Sequence, residues 1–165
     1  MVTDFKAQGK KNRASGAKTE AQVRTELEGE GYIVCRWSNN VELDTDYDAE
    51  GLTVIGKLVG AKPKYNPFKK MLMYASVGFP DFICIKSAGM DSIEEPPYLR
   101  MIFNNIAVES KRNGYLDPVE RQKAQWLLDN HIFNKFIIAK KTDAGHLIYT
   151  DFATKKELKV EELFK

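Results

Sequence analysis

The chain is poor in the residues on which several kinds of chemistry depend. Of 165 residues, two are cysteine, two histidine and two tryptophan. Cys35 and Cys84 stand among apolar strand-forming residues without paired spacing. That excludes a disulfide framework and a cysteine-based zinc site, and predicts two buried thiols in a reducing compartment. His131 and His146 have no ligand-like spacing to cysteine, so zinc is not expected there either. Long hydrophobic runs are missing: no stretch approaches a membrane span, and the first residues lack the apolar core of a signal peptide. The expectation is a protein without membrane association that stays in the cytoplasm. No Walker loop, dinucleotide-binding glycine motif or Ser-His-Asp pattern is present, which argues against energy-coupled and acyl-transfer chemistry. Repeats and low-complexity tracts are also absent.

Acidic residues are missing from one long segment. The net charge is only +2, yet residues 51–80 contain no Asp or Glu, while Lys57, Lys62, Lys64, Lys69 and Lys70 all fall there or beside it. Tyr65, Phe68, Tyr74 and Phe79 are interleaved with these lysines. The N-terminal residues add Lys6, Lys10, Lys11, Arg13 and Lys18 against a single Asp4. Such blocks often only decorate a solvated face. Aromatic interleaving beside a candidate catalytic centre suits a surface that tracks phosphates.

That centre is suggested by two short runs. The first is Gly78-Phe79-Pro80-Asp81-Phe82-Ile83-Cys84-Ile85, and the second is Ile106-Ala107-Val108-Glu109-Ser110-Lys111. Side chains alternate along a strand, so Glu109 and Lys111 share a face while Ser110 points away. If the two strands pair, Asp81 joins them, giving hard oxygen ligands for a divalent metal beside a cation that can hold water or phosphate. An acid after proline, or a Glu-x-Lys pair on a half-exposed strand, is common in proteins that cut nothing. Here the polar residues fall at the end of what should be a core strand, where they need partners.

Pro80-Asp81 with Glu109-Ser110-Lys111 resembles the signature of the PD-(D/E)XK nuclease superfamily. The following stretch, from Gly114 through Asp117-Pro118 to Trp126-Leu127-Leu128, is similar to the helix after the same motif in archaeal Holliday-junction resolvases and VRR-NUC nucleases. The resemblance implies an α/β, restriction-endonuclease-like core with a central mixed sheet flanked by helices. It implies magnesium, or manganese as a substitute, held by Asp81, Glu109 and the Ser110 carbonyl, with Lys111 orienting the attacking water. It also implies a first-helix glutamate near the metals, here Glu20, and a polar residue of the later helix facing the site, here Gln122. In the VRR-NUC pattern the glutamine comes two residues after the proline, whereas Gln122 comes four after Pro118.

Residues 1–14 read as a flexible basic arm and 15–165 as one domain with an insertion around 38–76. A helix is expected over 18–30, with Glu20 on the stripe of Val23 and Leu27. Strands are expected over 32–37, 82–85, 101–111, 136–140 and 146–149, with residues 87–100 an exposed excursion between the second and third. Residues 53–55 suggest an extra strand and 67–74 a short helix. Asp44, Asp46 and Asp48 mimic an EF-hand start, but Ala49 replaces the required Gly and Ile55 the bidentate Glu, so they read as a solvated loop. Asp117, Pro118 and Glu120 form a strong helix start, and Thr154 with Glu157 suggests a final capped helix.

The expected function is metal-dependent DNA endonuclease activity, selective for branched DNA in the manner of a Holliday-junction resolvase. Paired incisions then require a two-fold homodimer. One alternative is a nuclease for flaps, ends or nicks, and another is a nucleic-acid-binding protein that keeps the fold without cutting. Candidate phosphate contacts are Lys10, Lys11, Arg13, Arg36, Lys62, Lys64, Lys69, Lys70, Arg112 and Arg121.

Overall fold

A computed structural model describes residues 5–48, 51–68, 70–73, 78–93 and 98–164. The chain runs α1 (Phe5–Gly29), β1 (Ile33–Arg36), β2 (Asn39–Asp48), β3 (Gly51–Gly60), β4 (Lys64–Asn66), β5 (Met71–Met73), β6 (Phe82–Ile93), β7 (Tyr98–Ser110), α2 (Pro118–Asp129), β8 (Lys135–Lys141), β9 (Leu147–Asp151) and β10 (Glu157–Leu158). A 3-10 turn follows at Val160–Glu162. Six strands form a mixed sheet in the order β1-β6-β7-β8-β9-β10, and β2-β3 and β4-β5 form separate hairpins. Among the described residues only β7 and β8 pair in parallel, and α2 supplies the crossover that a parallel pair needs.

Alternation along the strands divides the core between the two faces of the sheet. Ile106 and Val108 of β7 pack with Val34, Phe82, Cys84, Ile137 and Ala139 against Val23 and Leu27 of α1. Ala107 packs with Phe79, Phe136 and Ile138 against Ala124 and Leu127 of α2. Strand β8 is covered on both sides, so Phe136-Ile137-Ile138-Ala139 is a continuous buried apolar run. Among the described residues, no helix is long and apolar enough to cross a membrane.

Both helices end on the same device. Tyr32 N–H donates to Leu27 O and Gly31 N–H to Glu28 O, with Gly31 at φ 79°, the left-handed residue such an ending demands. At α2 the equivalent bonds run from Ile132 to Leu127 and from His131 to Leu128, but the left-handed residue is His131, at φ 54°. A side chain there costs about 1 kcal/mol that glycine avoids. His131→Gly should therefore raise stability by up to about 1 kcal/mol, read as a higher denaturant midpoint at unchanged slope.

Several expectations are corrected. Residues 5–14 are not an arm but the first turns of α1; Lys, Arg, Gln and Ala extend a helix cheaply once it is nucleated. Asp44, Asp46 and Asp48 lie on β2 rather than in a loop, because Val41 and Leu43 turn to the core while Glu42 and Asp44 face out. The extra strand expected at 53–55 is present, as part of the longer β3. The short helix expected at 67–74 is replaced, in its described part, by a turn and β5. Asn66 Oδ1 accepts from Phe68 N–H at 2.9 Å and Lys70 takes φ 48°, which bends the chain into the β4-β5 hairpin. The excursion at 87–100 is mostly strand: β6 and β7 pair out to Ile93 and Tyr98, and residues 94–97 lie outside the described residues. The final helix is absent from the described residues. The Asp151 carboxylate accepts from Ala153 and Thr154 N–H at 2.8 and 2.9 Å, turning the chain back so that β10 pairs with β9. Cys84 is buried as expected, but Cys35 is exposed, since the preceding residue Val34 takes the core side of β1.

Candidate active site

Strands β6 and β7 pair with Phe82 opposite Val108, which brings the residue before β6 beside the end of β7. Asp81 and Glu109 are interlocked there through the backbone. Asp81 N–H donates to Glu109 Oε2 at 2.9 Å, and Ser110 N–H donates to Asp81 Oδ2 at 2.9 Å. Lys111, one residue past β7, is anchored by its N–H to Ala139 O at 2.9 Å. Its ammonium lies 3.1 Å from Glu109 Oε1 and also donates to Glu120 Oε1. The sequence-predicted trio of Asp81, Glu109 and Lys111 is thus brought together, on the α2 face of the sheet.

The local sequence makes this placement rigid. An added Cβ on Gly78 would fall 2.2 Å from Trp37 O, a backbone atom, so only glycine allows this approach to the Asp81 strand. Phe79 N–H is held by Asn39 O at 2.9 Å, and Trp37 N–H by Asp81 O at 3.1 Å. Gly78→Ala should cost on the order of 1–3 kcal/mol in thermal or denaturant unfolding, because the clash moves backbone and not a side-chain tip.

Burial dominates the electrostatics. Glu109 is 6% exposed, and desolvation with the nearby Asp81 charge pushes its carboxyl up to about 8, against the pull of Lys111. Desolvation, reinforced by Glu20, pushes Asp81 up to about 6, although Ser110 N–H, Lys111 and Arg36 favour its ionised form. Burial disfavours the Lys111 ammonium, but bonds to Glu120 and Glu109 outweigh it and its pKa moves up. Two carboxylates are therefore held together at a net electrostatic cost that one ammonium does not cancel. Among the described residues no hydrogen bond reaches Asp81 Oδ1.

Around this trio is a pocket of about 700 Å³, lined also by Asn40, Glu42, Gly60, Lys62, Gly78, Val119, Glu120 and Lys123. Glu120 was legible only as a capping residue. It does cap, accepting from Asp117 N–H at 3.0 Å, while its other oxygen takes Lys111. Lys123, also missed, lines the pocket and donates to Asn40 Oδ1 at 2.8 Å. The available signal was helical spacing: Glu120 and Lys123 precede Ala124 and Leu127 on the buried line of α2. Gln122 is off that line, exposed and not part of the pocket lining, which corrects its expected role.

The remaining expected residues are spread more widely. Glu20 belongs to α1, over the opposite face, and is gripped by Arg36 at 2.6 Å; its charge reaches Asp81 but it does not line the pocket. Lys62 is at the pocket rim, 3.6 Å from Glu42. Arg121 opens to a separate cavity of about 550 Å³ with Tyr115 and Lys140, and Arg112 to another with Thr19 and Lys141. Lys70 is exposed in the β4-β5 turn. The side chains of Lys10, Lys11, Arg13 and Lys64, and the whole of Lys69, lie outside the described residues.

The donor set suits a hard divalent ion: oxygen only, two carboxylates converging, with desolvation that a cation would relieve. Asp81 and Glu109 are the side chains able to hold one. Among the described residues, no three His, Cys, Asp or Glu side chains gather as a ready-made metal cluster. Fold and site together define a mixed α/β protein with an acid pair and a lysine at the end of its central strands. Comparison with protein-family models, curated proteins and solved structures gave no match.

Proposed function

We propose that this protein is a metal-dependent DNA endonuclease with a restriction-endonuclease-like core, acting on branched DNA as a Holliday-junction resolvase does. The observation that carries the reading is the convergence of Asp81, Glu109 and Lys111, from two paired strands, in one pocket. The order of elements supports it: a helix, a strand, the Asp81 strand, the Glu109 strand, a capped helix and a parallel strand. Asp81, Glu109 and the Ser110 carbonyl would hold magnesium, which supplies Lewis acidity and an activated water. Lys111 would position that water and offset negative charge on the phosphate. Glu120 keeps the ammonium at the mouth of the pocket. Paired incisions would be made by a homodimer.

Exposed Lys57, Lys62 and Lys70 offer phosphate contacts, and Lys62 lines the pocket itself. Changing all three to Gln should weaken binding to every DNA sequence alike and reduce the salt slope by up to about three ions, measured by anisotropy across a salt series.

The test of the reading is incubation of the purified protein with four-way junction, flap, duplex and single-stranded DNA, in magnesium or in EDTA. Symmetric incision of the junction in magnesium alone is expected. Cutting of flaps or ends instead would leave the nuclease and discard the resolvase. A second reading, a DNA-binding protein of this fold that does not cut, draws on the lack, among the described residues, of a third His, Cys, Asp or Glu side chain gathered with the pair. Tight junction binding with no incision under any divalent ion would favour it.

A further inference from the structure

The β4-β5 hairpin projects apolar side chains that the fold does not use. Phe68 is 89% exposed, Tyr65 61%, Met71 52% and Leu72 48%. Tyr65 pairs with Leu72 across the hairpin, which puts both side chains on one face, and Phe68 occupies the turn. Single exposed apolar residues are ordinary, but Tyr65 and Leu72 on one face of the hairpin, Met71 on the other and Phe68 at its turn leave this short element apolar on both sides, which marks an interaction.

The occupant can be argued from charge. Protein interfaces are depleted of lysine, whereas this patch lies in the segment 51–80, with five lysines and no acid. Lys62 and Lys70, on either side of Tyr65 and Phe68, are both exposed. Lys62 has only a solvent-exposed partner in Glu42, a pair worth little. Apolar tips flanked by cations suit nucleic acid, where the cations meet phosphates and the ring meets a base. Position strengthens the argument. Lys62 and Gly78, which bracket the hairpin in sequence, both line the pocket containing Asp81 and Glu109. Phe68 is six residues from Lys62, a reach of at most about 20 Å, or roughly six nucleotides along a strand.

We infer that the β4-β5 hairpin is a wedge that stacks Phe68, supported by Tyr65, on an unpaired or unstacked base near the scissile phosphate, so that the substrate is DNA with a helical discontinuity. The inference rests on the DNA reading above and refines it. It explains how branched DNA is distinguished from intact duplex: at a branch the base steps are already disrupted, so insertion there is less costly than in a continuous stack.

The test uses the full-length protein in EDTA, so that no strand is cut, with a four-way junction and an intact duplex each carrying 2-aminopurine, at the branch in the first. Binding of the wild type should raise the junction's fluorescence and leave the duplex unchanged. Phe68→Ala should abolish the rise and weaken junction binding roughly 10- to 100-fold, with the salt slope unaltered because the lysines remain. Phe68→Trp should retain the rise. The side chain is almost wholly in water, so neither change threatens folding. Wild-type affinity and an undiminished fluorescence rise in Phe68→Ala would overturn the wedge while leaving the DNA reading intact. Loss of dimer mass in sedimentation, with the fluorescence rise preserved, would also overturn it and assign the patch to contact between copies. Absence of binding to any DNA by the wild type would overturn both.

Discussion

If the protein is the nuclease proposed, Glu109→Gln and Asp81→Asn should each abolish magnesium-dependent cleavage, by a factor on the order of 10³ or more, and Glu109→Gln should also raise the thermal midpoint of the metal-free protein at pH 8. The first effect is expected because an ion held by these carboxylates would supply several kcal/mol of transition-state stabilisation. The second follows from the direction of the shifts. Both carboxyls titrate above their unfolded values, Asp81 near 6 and Glu109 near 8. Their contribution to stability is therefore complete below the unfolded value of about 4 and is lost as pH rises through the folded values. An uncharged amide escapes that loss. The advantage of Glu109→Gln should be small at pH 5 and grow towards pH 8, and millimolar magnesium should shrink it by stabilising only the wild type. Differential scanning calorimetry across this pH range, with and without magnesium, measures it. A buried glutamate needed only for the fold would give the opposite sign.

On the same reading, Lys111→Ala should lose turnover by at least about 100-fold while still binding divalent ion, and its stability should become strongly metal-dependent. Without the ammonium, Glu109 and Glu120 face each other with no cation between them. Breaking one partner out of a largely buried ion pair costs on the order of 3–5 kcal/mol. A divalent ion replaces the missing charge, so magnesium should raise the unfolding midpoint of Lys111→Ala by more than it raises that of the wild type. Thermal shift in EDTA and in magnesium, beside a single-turnover cleavage assay, separates the two roles of the lysine. Equal shifts in both proteins would mean that Lys111 and the ion do not share the same carboxylates.

The parts legible in the sequence were those fixed by short-range rules. Strand alternation put Glu109 and Lys111 on one face, and Asp117-Pro118 with Glu120 marked the start of α2, where both bonds of the capping box are present. What escaped depended on rotation and packing. One residue along a helix turns the side chain by about 100°, so choosing Lys123 over Gln122 required knowing that Ala124 and Leu127 face the sheet. Glu120 satisfied its local role so well that its contact with Lys111, nine residues away, left no separate trace. The acidic run on β2 misled because alternating Asp residues also read as loop. Only Val41 and Leu43 just before it, packed on the α2 side of the core, mark the strand. At Thr154 a capping pattern was present, but the side chain of Asp151, three residues earlier, takes the Thr154 N–H that Glu157 would have capped, together with Ala153 N–H.

That Asp81 and Glu109 share one divalent ion is the claim on which the mechanism stands, and anomalous diffraction from crystals grown in manganese tests it most directly. A single strong peak at roughly 2.0–2.3 Å from a carboxylate oxygen of each residue is the result predicted, and it should vanish in crystals of Glu109→Gln. A peak bound elsewhere in a protein that cuts DNA, or cleavage by crystals whose pocket holds no manganese at millimolar concentration, would contradict the account.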